Sequence, residues 1–489
     1  MNSDLQNKLH KILDLSKKAD IKPNVFLEQV VFMIYLKLID EGVFTKNSSK
    51  DKVNEEEIFY DQAERFKWSN WISKPEGEIK DYLKNEVFPF VSSIDSKGEI
   101  LAEVFNNSAF QIESKIIVHK LLEIIDSINF LNLSYDDRTQ ILDYLTQHLL
   151  FNRESRLGVF PTPRLISKFI VELIKPNGNE SIFDPGCGSG TLLTEFYDYN
   201  LKNYISSAGS AKYHGVDISR SMIRLSILNF ILRGANNFDF YRADFVREQG
   251  GLRDKTIKKN YDIIVADPPL GVVIPKDEVR DSLNGNFKKI EALFLRAILQ
   301  NLSGDGIAAI ILPDNFLFSK MPDYENLRVS MLENNQIFGV ISLPKSAFIH
   351  HGVNLNLLMI KKEPSNIRGK VWFCDLSKRK LKDGTSFNDV INLWNEFKVS
   401  NYSNPPGPKA NSVVESSKEI NYWWADKDQL IKNEFDLTLN LYRPIIEKDQ
   451  DYRSPNEIID QIQQLNKKIE FSIENLFDEI KNRFRQDND

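Results

Sequence analysis

At 489 residues, with 42% hydrophobic and 27% charged side chains, the chain is long enough for two globular domains and a smaller terminal module, and too apolar for extended disorder. A formal net charge of -6 excludes any global attraction to nucleic acid, so a contact with DNA must use local basic patches or a partner's surface. The two cysteines, Cys187 and Cys374, cannot build a disulfide framework, and a cytoplasmic location is expected.

The N-terminal MNSDLQNKLHKILDL lacks the basic-then-apolar layout of a signal peptide. Val25 to Ile39 is the most apolar early run, but Glu28 and Lys37 interrupt it and it is too short to cross a membrane, so it reads as a buried helix. Apolar residues recur at three- and four-residue spacing from Leu5 to about Leu150, which predicts an all-helical N-terminal domain over 1–150, with Ser134 as the N-cap of its last helix.

After GVFPTP the pattern changes. Short apolar runs that end in turn residues alternate with helical stretches: SIFDPGCGSG, YHGVDIS, FDFYRAD, YDIIVADPP, GIAAIILPD, FGVISLP and LNLLMIKK, with VWFCDL as a further strand or the start of a subdomain. This predicts a doubly wound, Rossmann-like α/β domain with a parallel sheet over 151–400. From Asn401 to Ser416 the composition turns to Asn, Pro, Gly and Ser, a linker. The rest of 401–489 ends in a charged amphipathic helical tail, IIDQIQQLNKKIEFSIENLFDEI, whose apolar spacing suits a partner helix.

The sharpest local signal is Asp184-Pro185-Gly186-Cys187-Gly188-Ser189-Gly190, set between a strand and a helix. Glycines there let backbone approach a ligand and allow the tight turn, but their spacing fits the dinucleotide fingerprint poorly. Three further strands end in acids: Asp217, Asp244 after Arg242-Ala243, and Asp267-Pro268-Pro269-Leu270. Acids recurring at the carboxyl edge of an open α/β sheet describe a ligand cleft, with Asp217 placed to accept from ribose hydroxyls.

Taken together, these segments resemble the γ-type adenine-N6 DNA methyltransferases, and among them the modification subunits of type I restriction-modification systems. Gly158 to Arg164 (GVFPTPR) resembles the family's G-x-F-Y-T-P-R, DPGCGSG its D-P-A-C-G-T-G, and DPPL its N-P-P-F. EALFLRAILQNLSGDGIAAIILP, FGVISLP and NEFDLTLNLYRP are similar too, so the resemblance covers most of the chain. It implies S-adenosyl-L-methionine held by Phe160 and Thr162 at the entrance, by Asp184, Gly186 and Gly188 under the methionine, by Asp217 at the ribose and by Asp244 at the adenine. It implies a flipped adenine at the catalytic segment Asp267, Pro268, Pro269 and Leu270. It also implies double-stranded DNA and a DNA-specificity subunit as partners, with a restriction nuclease subunit a further candidate, and neither a metal nor a membrane.

Two positions depart from the family pattern. Leu270 replaces an aromatic that stacks on the flipped base, a platform worth roughly 1–3 kcal/mol. Pro161 replaces a tyrosine; Phe316, Phe318 and Phe348 are candidate compensating aromatics. A second reading therefore stays open: a weakened methyltransferase fold acting as scaffold or sensor in a restriction-modification or phage-defence complex. A nicotinamide oxidoreductase is disfavoured, because DPP has no role there. His350-His351 lacks companions at metal spacing, and Cys187 reads as space-filling. The basic runs RDKTIKK and SKRKLK read as solvated surface, with phosphate contact the alternative; Trp423-Trp424 is either a partner anchor or a packed pair.

Overall fold

A computed structural model describes residues 1–42, 61–93, 99–150, 162–204, 210–247, 260–280, 283, 287–334, 336–348, 352–362, 369–381, 386–415, 420–447 and 455–486. Phe160, Pro161, His350-His351 and RDKTIKK lie outside them.

The N-terminal region is helical, as its periodicity predicts. Its central helix, Pro23–Asp40, is buried on every side from Phe26 to Ile39 apart from Glu28. The Lys37 ammonium inside that run donates to the carbonyls of Ile125 (3.1 Å), Asp126 (2.5 Å) and Ile128 (2.7 Å). These lie at the C-terminal end of helix Lys115–Asp126, where free carbonyls and the helix dipole favour a cation. Ser134 caps helix Tyr135–Leu149 through the Asp137 amide at 3.1 Å. Among the described residues no helix is long and apolar enough to cross a membrane.

Among the described residues, nine strands form the central sheet: β1 (Ser181–Asp184), β2 (Lys212–Asp217), β3 (Phe238–Arg242), β4 (Tyr261–Ala266), β5 (Leu302–Pro313), β6 (Ile337–Ser342), β7 (Leu355–Lys361), β8 (Lys370–Asp375) and β10 (Tyr422–Asp426). Their order is β10-β8-β6-β7-β5-β4-β1-β2-β3. Strands β1 to β5 are mutually parallel, and all seven apolar runs of the sequence, with VWFCDL, are strands here.

The sheet is not wholly parallel, in contrast to the expectation. Strand β7 runs antiparallel between β5 and β6. The described link from β6 to β7 contains only a short 3₁₀ turn, Lys345–Ala347, and a parallel return needs a longer crossover, usually a helix. Nor does the sheet stop at residue 400. Strand β10 lies in the stretch expected as linker and tail, and pairs antiparallel with β8. It is held there by Trp423, which is fully buried, parallel to the Phe373 ring and under the Arg443 guanidinium at 5.0 Å.

Alternate strand residues feed two cores. Ile182, Ile263, Val265 and Ala309 face one that also holds helices Arg164–Ile174, Thr191–Asn203 and Arg220–Leu232 and the N-terminal helices. Phe183, Ile264, Ala266 and Ala308 face the other, with helices Ile290–Asn301 and Pro322–Glu333. Residues Met1–Asn411 and Asn421–Arg443 thus make one compact unit. Arg224 joins its helical and sheet parts, pairing with Glu28 and donating to the carbonyls of Val104 (2.6 Å) and Asn106 (2.8 Å).

The second unit comprises Ser412–Ile420 and Pro444–Asp489. It holds a short parallel pair, β9 (Val413–Glu415) with β11 (Ile445–Glu447), and the 32-residue helix Pro455–Gln486. Ile458, Ile462, Leu465, Ile469, Ile473 and Leu476 form an exposed apolar stripe along that helix.

Candidate active site

Because β1 to β4 are parallel, their carboxyl ends share one sheet edge, and each delivers an acid there: Asp184 ends β1, Asp217 ends β2, Asp244 follows β3 and Asp267 follows β4. Chain reversal after each strand exposes backbone amides, and those amides grip the acids. Asp184 Oδ1 accepts from the Gly186 amide at 3.0 Å. Asp217 Oδ2 accepts from Gly188 N at 3.0 Å and its Oδ1 from Ser219 N at 2.8 Å. Each Asp217 oxygen keeps a second lone pair for a ligand hydroxyl.

The turn itself needs its glycines. Gly188 adopts φ +53 and an added Cβ would meet nothing within 4 Å, so its face is open to a ligand; Gly190, φ +79, starts helix Thr191–Asn203 with its missing Cβ only 3.2 Å from Ser226. Helix Arg220–Leu232 supports the turn from behind: Ser226 Oγ donates to Gly188 O at 2.7 Å and Asn229 Nδ2 to Ser189 O at 3.0 Å. Cys187 is buried against Ser226, 3.7 Å between Sγ and Oγ, and fills space.

At the β4 loop, Asp267 Oδ2 accepts from the Thr162 hydroxyl at 2.8 Å. Thr162, expected at the donor entrance, thus sits on Asp267 of the segment expected to be catalytic. Pro268 is buried, and Pro269 and Leu270 half-buried. Gly271 closes the loop by donating its amide to Glu291 Oε1 at 2.5 Å; Tyr324 Oη bonds the other Glu291 oxygen at 3.3 Å. Asp244 is held by its own turn: Oδ1 takes the Val246 and Arg247 amides, each at 3.0 Å, and Oδ2 pairs with Arg247 at 3.2 Å.

Burial dominates the electrostatics. It pushes the Asp184 carboxyl up to about 8 against the pull of the Gly186 amide, with Asp267 and Asp217 adding to the rise. It pushes Asp267 up to about 7 against the Thr162 hydroxyl, and raises Asp217 against the Ser219 and Gly188 amides. Among the described residues, the groups acting on these three acids are carboxylates, a hydroxyl and amides; none is a cation. Among the described residues, a cradle of largely desolvated acids with no internal counter-charge suits a cationic ligand. No group of three or more potential metal ligands occurs among the described residues.

The chain from 133 to 451 matches the family model described as N-6 DNA Methylase, and 5–128 matches the HsdM N-terminal domain. The chain belongs to the N-6 DNA methylase family. It is similar to the methylase subunit of the type I restriction enzyme EcoEI of Escherichia coli, 22% identical over 450 residues that cover 84% of this chain and 85% of the relative. The EcoKI methylase subunit of Escherichia coli K12 is 23% identical over 397 residues, 77% of this chain and 72% of that one. Among solved structures, a chain of a type I R-M system superposes with a TM-score of 0.71 at 19% identity over 99% of both chains. The type I methyltransferase subunit of Streptococcus thermophilus gives 0.67 at 17%, covering 90% of this chain and 99% of that chain. These likenesses show that the fold is shared.

In this N-6 DNA methylase, sequence reading missed Glu291. An acid in the first turn of a helix ordinarily reads as a solvated partner of the helix dipole, and only its place in the apolar run IEALFLRAIL hinted otherwise. Of the three candidate aromatics, Phe316 and Phe348 are in the core, whereas Phe318 is 48% exposed. Ile218, beside Asp217, is 62% exposed and was also missed.

Proposed function

We propose that this chain transfers a methyl group from S-adenosylmethionine to N6 of an adenine in double-stranded DNA, as the modification subunit of a cytoplasmic restriction-modification or related phage-defence complex. The observation that carries this reading is the Thr162 hydroxyl on Asp267 beside the acid cradle of Asp184 and Asp217. When bound, S-adenosylmethionine supplies an electrophilic methyl on a cationic sulfur. Asp184, Gly186 and Gly188 hold its methionine end, and the free Asp217 lone pairs take the ribose hydroxyls. Ile218 offers the purine an apolar face, and Asp244 Oδ2, shared with Arg247, takes its amine.

The chemical difficulty is the acceptor, whose amine lone pair is delocalised into the purine. Thr162 occupies Asp267 Oδ2 and, among the described residues, leaves Oδ1 free, so Oδ1 and the Pro268 carbonyl can accept the two amine hydrogens and turn the lone pair toward the methyl. The nitrogen forms its new bond to carbon as the carbon–sulfur bond breaks, and then releases one proton. An aspartate held near 7 is matched to receive that proton, a task closed to asparagine at this position. Pro268 and Pro269 stiffen the loop, and Phe318 supplies the stacking face that Leu270 lacks. The apolar stripe of helix Pro455–Gln486 receives the DNA-specificity subunit, which selects the sequence; a nuclease subunit is the further partner of such a complex.

The test couples calorimetric titration of the donor with transfer of labelled methyl to an adenine-containing duplex, alone and with the specificity subunit. Donor binding with transfer supports the reading. Leu270 favours the second reading, a donor-binding scaffold, and binding without transfer in the assembled complex would select it. A folded chain that binds no donor in either state overturns both.

A further inference from the structure

Strands β4, β5, β6 and β8 all point the same way: β4 is parallel to β5, β7 is antiparallel to both β5 and β6, and β6 is parallel to β8. The loops after β6 and β8 therefore leave the same sheet edge as the Asp267 loop. With strands roughly 4.8 Å apart, β6 and β8 stand three and four places from β4, or about 14–19 Å along that edge.

Three lysines project there. Lys345 follows β6; Lys378 and Lys380 follow β8 in the basic run SKRKLK, and all three are exposed. The two loops are bound to each other by Lys345 N on Ser377 O at 3.4 Å and Ser346 Oγ on Arg379 O at 3.3 Å. Arg379, between the two exposed lysines, turns away and clamps Asp389 through both guanidinium nitrogens at 2.5 and 2.7 Å. The other nearby acid, Asp375, is taken by Arg443. Among the described residues the nearby carboxylates are thus already paired, and no acid lies within 4.0 Å of any of the three ammonium groups. An ordinary solvated face interleaves its charges. This one presents a single sign from a braced loop pair, in a chain whose net charge is -6.

We infer that Lys345, Lys378 and Lys380 form a phosphate-binding surface that seats the DNA backbone alongside the acceptor loop. This rests on the reading of the chain as a DNA methylase. A span of about 14–19 Å corresponds to roughly four to six base pairs of duplex, so the lysines meet backbone flanking the adenine at the Asp267 loop and carry no sequence information.

The experiment uses the full chain, alone and with its specificity subunit, and a fluorescent duplex titrated between about 50 and 200 mM salt. The variant K345Q/K378Q/K380Q is compared with K11Q/K18Q/K202Q, which makes the same charge change at exposed positions elsewhere. If the lysines each neutralise one phosphate, the log–log salt slope falls by roughly 2–3 in the first variant and stays at the wild-type value in the control. The loss is equal for duplexes of different sequence, and donor affinity is unchanged. Equal slopes in both variants, with wild type binding and methylating DNA, overturn this inference alone. A wild type that binds neither donor nor duplex overturns the methylase reading and this surface with it.

Discussion

The proposed donor side of the cleft and its proposed acceptor side are built from the same sheet edge in opposite ways. On the donor side most of these contacts are local: Asp184 is held by Gly186 and Asp217 by Ser219, each two residues away, and only the Gly188 amide on Asp217 comes from 29 residues away. On the acceptor side Asp267 is held by Thr162, 105 residues away, and Gly271 by Glu291, which in turn meets Tyr324. Local contacts survive substitution elsewhere; long-range ones fail when any supporting element moves. The acceptor side should therefore be the more sensitive of the two to distant mutation.

The largest expected effect breaks the comparison at its catalytic end. Asp267→Ala should lower single-turnover methyl transfer by about 10²–10³-fold, as removal of one preorganised transition-state hydrogen-bonding group does. Asp267→Asn should keep an acceptor and lose less, and the rise of the rate with pH through about 7 should disappear because no proton-accepting carboxylate remains. An unaltered pH profile in that variant would remove the proton-accepting role.

On the donor side, Asp217→Ala should weaken calorimetric S-adenosylmethionine binding by roughly 10–100-fold, since it deletes the proposed ribose contacts and frees two amides, with the rate at saturating donor nearly preserved. Glu291→Ala should do the reverse: donor affinity within about twofold, transfer down about tenfold, partly rescued in Glu291→Gln. Equal losses of affinity and rate in both variants would erase the distinction between the two halves.

Stacking comes next. Phe318→Ala should cost about tenfold in transfer and Leu270→Phe should restore a similar factor, read as kcat with donor affinity constant. A Phe318→Ala variant with full activity would leave the flipped base without an aromatic platform in this chain.

The smallest effect is on stability. Asp184 and Asp267, at about 8 and about 7, lie above the ordinary carboxylate value of 3.8. Raised acids favour the folded state fully below that ordinary value, and their contribution is lost progressively as pH rises from about 4 until it passes about 7 to 8. The Tm of the ligand-free protein should fall across that window, and Asp184→Asn should flatten the fall. S-adenosylmethionine should bind more tightly as the same groups ionise, which S-adenosylhomocysteine, lacking the sulfonium, should do less. A Tm that rises with pH through this range would show the acids to be solvated.

Sequence by itself determined the helical N-terminal region, the strands β1 to β8 and the strand-end acids, because each is encoded by periodicity or by residues within a few positions of one another. Even Trp423-Trp424 was visible as a pair. That it belongs to the sheet depended on the Phe373 ring and Arg443, which only the folded chain brings to it. In the same way β7 reads as a strand in the sequence, but its direction follows from how its connection packs. Thr162 on Asp267, Glu291 under Gly271, the exposure of Phe318 and the shared edge of Lys345, Lys378 and Lys380 were decided by tertiary structure alone. The physical reason is range. A hydrogen bond or a patch of like charge between residues tens to a hundred positions apart leaves no spacing rule in the chain, and exists only once the sheet has set its strand order.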